Sequence, residues 1–248
     1  MRFDSLLLPA FAAAVLACGA RDNAGDASAN EDAPADATET TATDLLADGD
    51  LGAWHRYGGG DVGEAWTVSD DGVLHFDASA RGEDGARGGD IVTDEAFADY
   101  ELTLEWKISD CGNSGVIYNV VEEDDLEYPW LTGPEMQVLD NACHPDAKIY
   151  KHKAGDLYDM IAASDSTAVR PAGQWNEARL VNRAGAVEHW LNGVKLVGYD
   201  NTGEAWRDMI AASKFKDMDR FGEATEGRIA LQDHGDDVWY RRIEVRAL

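Results

Sequence analysis

Positive charge is what this 248-residue chain lacks most: 21 Lys and Arg stand against 48 Asp and Glu, a formal net charge of -27. That balance argues against a basic surface for nucleic acid or anionic lipid, and the excess acid keeps the surface soluble. Cysteine is scarce as well, three in all, and their spacing fits no zinc-ligand template. Long apolar runs are missing except near the start, so no mature membrane-spanning helix is expected. Aromatic residues, by contrast, are plentiful. Eight Trp and eight Tyr suit either the face of a sugar or the core of a large β domain.

The apolar run from Leu6 to Ala17 follows Arg2 and has the length of a secretory h-region. It ends Val15-Leu16-Ala17-Cys18-Gly19, which resembles a bacterial lipoprotein signal. Residues 1–17 are therefore expected to be removed and Cys18 to carry lipid; a plain signal peptide cut near Ala20 would still export the chain. Residues 18–43 are rich in Ala, Asp, Glu, Thr and Asn and read as a disordered acidic tether, because they cannot bury enough surface to offset their ordering entropy. The expected location is the bacterial cell envelope, lipid-anchored on the periplasmic or outer-membrane face, with the membrane touched through the anchor alone. With Cys18 lipidated, Cys111 and Cys143 remain. An oxidising compartment favours a disulfide between them, with two free thiols or a metal site including His144 as the alternatives.

From Leu45 onward the pattern is strands and turns, one domain over residues 44–248. Trp66–Val68 and Val73–Phe76 flank Asp70-Asp71-Gly72, a hairpin signal. Asp90–Thr93 is a short strand expected to lead into a turn of helix around Asp94–Ala98. Tyr100, Leu102, Leu104, Trp106 and Ile108 alternate with Glu101, Thr103, Glu105 and Lys107, as a strand buried on one face requires. Gly112-Asn113-Ser114-Gly115 is a turn by composition, followed by a strand over Val116–Val121. In Gly133–Asp140, Met136 and Val138 face one way while Glu135 and Gln137 face the other. Residues 141–171 are irregular and hold His144, Lys148, Lys151, His152, Lys153 and Tyr158; so long an excursion in a compact domain points to function. A meander follows over Trp175–Asn182, Val187–Leu191 and Val194–Tyr199, turned by Asn192-Gly193. A helix is expected over Trp206–Lys216, then strands over Arg228–Gln232 and Val238–Val245. About a dozen strands and little helix make the fold class all-β, an antiparallel β-sandwich of jelly-roll type.

Several segments occur together in order: Leu46-Ala47-Asp48-Gly49-Asp50-Leu51-Gly52-Ala53-Trp54, Asp90-Ile91-Val92-Thr93, Glu105-Trp106-Lys107-Ile108, Gly112-Asn113-Ser114-Gly115-Val116, Glu135-Met136-Gln137-Val138-Leu139-Asp140, Gly155-Asp156-Leu157-Tyr158-Asp159, Trp190-Leu191-Asn192-Gly193 and Ile229-Ala230-Leu231-Gln232-Asp233-His234-Gly235. From Leu45 to Leu248 the chain thereby resembles the 3-keto-disaccharide hydrolase family, also known as domain of unknown function 1080. The resemblance implies a concanavalin-A-like sandwich with the site on its concave face. It also implies a glycoside substrate oxidised at C3 by a separate sugar 3-oxidoreductase. Met136, where the family has an aromatic residue, and Asp156, where it has a small one, depart from the pattern. Cys111 and Cys143 look like local additions that staple two loops beside the site.

A ketone at C3 acidifies the hydrogen at C2, so a base can form an enediolate that expels the C1 substituent, and water then adds back. Such chemistry needs a base, a stabiliser for the enolate oxygen and an acid for the leaving group. Glu135 is the candidate base, against the plainer role of binding sugar hydroxyls. His234, two residues from Gln232, is the candidate acid, since imidazole carries a proton either way near neutral pH. If a divalent metal ion takes part, Glu135 and His234 are the candidate ligands. Glu105, Asn113, Gln137, Lys153, Tyr158, Gln232 and Arg241 are the candidate substrate-binding residues. Two rival readings share the strand. A retaining glucanase would use Glu135 with Asp140, which the intervening Gln137 and the short Asp140 fit poorly; a lectin-like module would bind sugar without cleaving it.

Overall fold

The computed structural model describes residues 41–248. The expected signal peptide, the Cys18 lipid site and almost all of the tether lie outside the described residues. Thirteen strands occur among those described: β1 Thr43–Asp44, β2 Trp54–Arg56, β3 Trp66–Val68, β4 Leu74–Phe76, β5 Ile91–Thr93, β6 Tyr100–Ile108 and β7 Asn113–Val120, then β8 Glu135–Leu139, β9 Asn176–Arg183, β10 Ala186–Leu191, β11 Val194–Asp200, β12 Arg228–Leu231 and β13 Val238–Ala247. One α-helix, α1, spans Gly203–Ala211.

The strands form two antiparallel sheets. One is eight-stranded, in the order β11-β10-β9-β6-β13-β4-β3, with β1 also paired to β13; the other is five-stranded, in the order β2-β5-β12-β7-β8. Their inner faces meet in a core that includes Leu102, Trp106, Val116, Tyr118, Met136, Val138, Ile229 and Tyr240. This is the all-β jelly-roll sandwich that the strand count predicts.

The period of two explains which sheet faces water. In β6 buried and half-buried residues alternate along the whole strand, so its second face looks to solvent. In β7 and β8 every residue is buried, which means that something covers their outer face as well. On that outer side Tyr57, Val92, Ile117, Val120 and Ala230 form a small second cluster with Trp130 packed against it. Loops 121–134 and 141–161 and the segment after α1 rise around this patch, leaving a hollow beside it.

Three local expectations differ. Gly112–Gly115 is not a turn: the turn comes earlier, with Gly112 N–H donating to Ser109 O at 3.0 Å, and Asn113, Ser114 and Gly115 already pair with Leu139, Val138 and Gln137 in β7–β8. No helical turn forms after β5; residues 94–99 bend around an isolated bridge from Phe97 to Gly227. The helix ends at Ala211, five residues short of Lys216, and a tight turn over 212–216 replaces its last stretch. Asn192-Gly193 turns β10 into β11 with both residues at positive φ, 50° and 81°, the backbone a two-residue hairpin requires.

Candidate active site

Strand β8 is the edge of its sheet, and its free side is completed by the irregular segment that follows. Gln137 N–H donates to Asp156 O at 3.2 Å, Gly155 N–H to Gln137 O at 2.8 Å and Tyr158 N–H to Glu135 O at 3.0 Å. This backbone pairing sets Tyr158 beside Glu135. Asp156 holds the segment in place: its carboxylate accepts from the N–H groups of Ala163 and Lys153. Asp156 is thus a loop-capping group.

Glu135 points outward from β8 and crosses the neighbouring strand at Gly115. A Cβ on Gly115 would come within 2.1 Å of Glu135 Oε1, far inside van der Waals contact, so the bare backbone there is what gives the carboxylate its resting place. Although Glu135 is only 7 % exposed, no hydrogen-bond donor among the described residues reaches its oxygens. Burial pushes its pKa up to about 8, against the opposing pull of Lys214 and with smaller upward contributions from Asp90 and Asp146. A buried carboxyl of this kind can hold or release its proton near neutral pH.

Around it lies a hollow of about 410 Å³ lined by Asn113, Trp130, Gln137, Tyr158, Lys214 and Phe215, with Met218, Gln232 and His234 completing the wall. Its size suits a small ligand. Asn113 Oδ1 and Gln137 Oε1 are buried without a donor, so two acceptors wait for hydroxyl protons. Asn113 Nδ2 lies 3.4 Å from His234 Nε2, and the rings of His234 and His144 meet edge to face at 6.4 Å. Of the residues singled out in the sequence, the fold gathers Glu135, His234, Asn113, Gln137, Tyr158 and Gln232 at one place.

It does not gather the others. Glu105 and Arg241 pair with each other on the outer face of the eight-stranded sheet, where Arg242 joins them. They are remote from the hollow because β6 and β13 belong to the opposite layer. Lys153 borders a different cleft with Lys148 and Lys151. Asp140 spends one oxygen on Cys111 N–H and the other on Ala142 N–H; it therefore caps loops and does not pair with Glu135, which removes the carboxylate couple of the glucanase reading. Cys111 and Cys143 are joined as a disulfide, tying the β6–β7 turn to the loop after β8. As to a metal, the one cluster of three candidate ligands among the described residues is Cys111, Asp140 and Cys143, which the disulfide and the capping bonds occupy. Neither Glu135 nor His234 belongs to such a cluster among the described residues.

The residue that sequence reasoning missed is Lys214. It sits in the tight turn after α1, with its N–H donating to Asp159 Oδ2 at 2.8 Å. Its Nζ lies 3.9 Å from the centre of the Tyr158 ring. Burial lowers its pKa while Glu135, Asp159 and Asp146 raise it. The available signal was its scarcity, one of seven lysines, set beside Phe215 in a stretch whose apolar spacing reads as helix.

Comparison with known proteins identifies the family. Residues 41–246 match the family model of the 3-keto-alpha-glucoside-1,2-lyase-like domain. A 3-keto-disaccharide hydrolase of Bacteroides thetaiotaomicron is 40% identical over 219 residues, covering 79% of this chain and 74% of the relative. A solved Parabacteroides distasonis protein, provisionally named a glycosyl hydrolase, superposes with a TM-score of 0.74 at 31% identity, over 84% of this chain and 94% of that one. A second one from the same organism gives 0.63 at 24% identity, over 84% and 100%, and supports the fold alone. The chain belongs to the 3-keto-alpha-glucoside-1,2-lyase-like family and is, like its Bacteroides relative, a hydrolase.

Proposed function

We propose that the protein cleaves the glycosidic bond of 3-keto-glycosides, disaccharides among them, by removing the C2 proton, eliminating the C1 substituent and adding water. The observation that carries this reading is Glu135: a buried carboxylate without a hydrogen-bond partner, facing a lysine across a sugar-sized hollow.

In this arrangement Glu135, ionised, takes the hydrogen from C2. The electron pair left behind spreads onto the C3 oxygen, where the Lys214 ammonium offsets the developing charge. The pair then closes the C1–C2 double bond as the C1–O bond breaks, and His234 supplies the proton that the leaving oxygen needs. Water adds its hydroxyl to C1 and gives its proton to the now neutral His234, while the carboxyl of Glu135 returns its proton to C2, so both groups regain their starting states. Asn113 Oδ1 and Gln137 Oε1 accept from ring hydroxyls, and Trp130 and Phe215 offer apolar faces to the ring. Glu135 must be ionised for the first step, so the rate should rise with pH through about 8,.

The substrate is supplied by a separate sugar 3-oxidoreductase, because the proposed reaction consumes a C3 ketone and does not make one. The chain acts in the bacterial cell envelope, anchored through Cys18; changing Cys18 to Ser should move it from the membrane to the soluble fraction. To test the reaction, purified protein is incubated with the 3-keto and the unoxidised forms of one disaccharide, with and without chelator, and released monosaccharide is measured. Release from the oxidised form alone supports the proposal. Release from the unoxidised form as well, or from neither, refutes it, and loss of activity with chelator would bring a metal ion into the mechanism.

A further inference from the structure

Beyond the hollow, the outer face of the five-stranded sheet continues toward a second acid. In the β5–β12 pair Ala230 lies opposite Val92 and Leu231 opposite Ile91; the same register sets Gln232 opposite Asp90. Val92 and Ala230 belong to the outer cluster, and alternation places Asp90 and Gln232 on that outer side too. Gln232 lines the hollow. Asp90 is therefore one strand farther along the same face than the residue that closes the hollow.

Between Asp90 and Glu135 lie Gln232 and Gly115, joined by the bond from Gln232 N–H to Gly115 O at 3.0 Å, and beside them Ile117 and Ala230 are covered by Trp130 and Tyr57. From β8 to β5 is three strand spacings, about 14 Å, room for two linked pyranose rings. The carboxyls at the two ends sense each other, for Asp90 raises the pKa of Glu135.

Asp90 is half-buried. Its Oδ1 accepts from Asp233 N–H at 2.8 Å, while no donor among the described residues meets Oδ2. Burial pushes its carboxyl up to about 7, with the Asp233 N–H and Arg81 pulling it down and the Asp233 charge pushing it up. An acceptor held at one oxygen and free at the other, beside an aromatic plate, is suited to the hydroxyls of a sugar ring.

We propose that Asp90 forms a second sugar subsite, accepting hydrogen bonds from hydroxyls of the leaving sugar while the 3-keto ring lies at Glu135. This rests on the reading of the reaction given above. It makes Asp90 a determinant of disaccharide over simple glycoside.

A competing role is structural, since the bond to Asp233 steadies the turn that presents His234. Asp90→Asn separates the two, because an amide oxygen still accepts from Asp233 N–H. Steady-state kinetics are compared on two alpha-glucosides, 3-keto-maltose and methyl 3-keto-glucoside. Measured well above pH 8, where Glu135 is ionised with or without the Asp90 charge, a subsite predicts that Asp90→Asn raises KM for the disaccharide about tenfold, leaves its kcat within twofold and leaves the methyl glycoside unchanged. Asp90→Leu should widen the same KM gap. An equal loss of kcat on both substrates, or no change on either, overturns the proposal. Calorimetric titration of unoxidised maltose into wild type and Asp90→Asn tests the subsite even if the reaction assignment fails: about tenfold weaker binding by the variant supports it, and equal binding, or no binding to wild type, refutes it.

Discussion

Glu105 and Glu135 are both carboxylates at outward positions, one on the inner strand β6 of the eight-stranded sheet and the other on the edge strand β8 of the five-stranded sheet. Glu105 is met by two guanidinium groups, those of Arg241 and Arg242. Around it, Glu101 pairs with Arg179 and Arg246, Lys107 lies over Trp239 and Trp175, and Arg241 stacks on Trp175. Glu135 has an aromatic wall and a nearby cation too, yet its oxygens and those of Asn113 and Gln137 are left without donors. The two faces use the same chemical vocabulary. On one the polar groups have satisfied each other; on the other they are buried and unfinished, which costs stability and is repaid when a ligand arrives.

The sharpest way to test that contrast is Glu135→Gln. Turnover of a 3-keto-glucoside should fall by about 10³-fold or more, since a general base contributes on the order of 10²–10⁴. The stability change should have the opposite sign. Glu135 is held above its unfolded value of 4.5, at about 8, so between those limits the unfolded chain sheds a proton that the folded chain keeps. Stability is lost as pH rises through this window. The variant should therefore melt several degrees above wild type at pH 8 and level with it at pH 4. A melting point unchanged at both would mean that the carboxylate is not strained by its surroundings.

Next in size is Gly115→Ala, which leaves every polar group in place and removes only the space for the Glu135 carboxylate. A displacement of this order should lower kcat about 10²-fold, and the sheet should fold as before, because the atom in the way is the end of a flexible side chain. Lys214→Met should also lower kcat, by about 10²-fold. It has a second signature: without the cation the Glu135 pKa climbs further, so the rising limb of the pH–rate profile should move upward. An unshifted limb would show that Lys214 does not act on Glu135. Reducing the Cys111–Cys143 bond, which closes a span of 32 residues, should cost on the order of 3 kcal/mol in thermal or denaturant unfolding.

How far the sequence revealed this site depends on the range of the interaction. Glu135 and Gln137 share a face because side chains alternate, and that rule is local; it held. Gln232 and His234 came with them for the same reason, since β12 pairs with β7 and brings its outward residues onto the same floor. Alternation cannot say which layer a strand joins. Glu105 reads as well as Glu135 by pattern, and it was the insertion of β13 between β6 and β4 that put it and Arg241 on the far side. Lys214 was hidden by a helix that stops early, where Asp159, itself at a positive φ of 59°, captures the chain. Asp90 was hidden in plain view, its place beside Gln232 fixed by a pairing 142 residues distant in sequence.

Arg241→Ala should have the smallest effect of all, and it probes the other half of the comparison. Removing Arg241 leaves Glu105 paired with Arg242 on a face open to water, so the cost in stability should be about 0.5–1 kcal/mol, the usual worth of a half-exposed ion pair. Part of that cost comes from the lost stacking on Trp175, which Arg241→Lys would not restore, because a point charge cannot replace the flat guanidinium. Neither KM nor kcat for the 3-keto-disaccharide should move by more than twofold. A tenfold fall in kcat/KM at full thermal stability would show that the eight-stranded sheet takes part in the reaction, and the division between a satisfied face and an unfinished one would no longer describe the molecule.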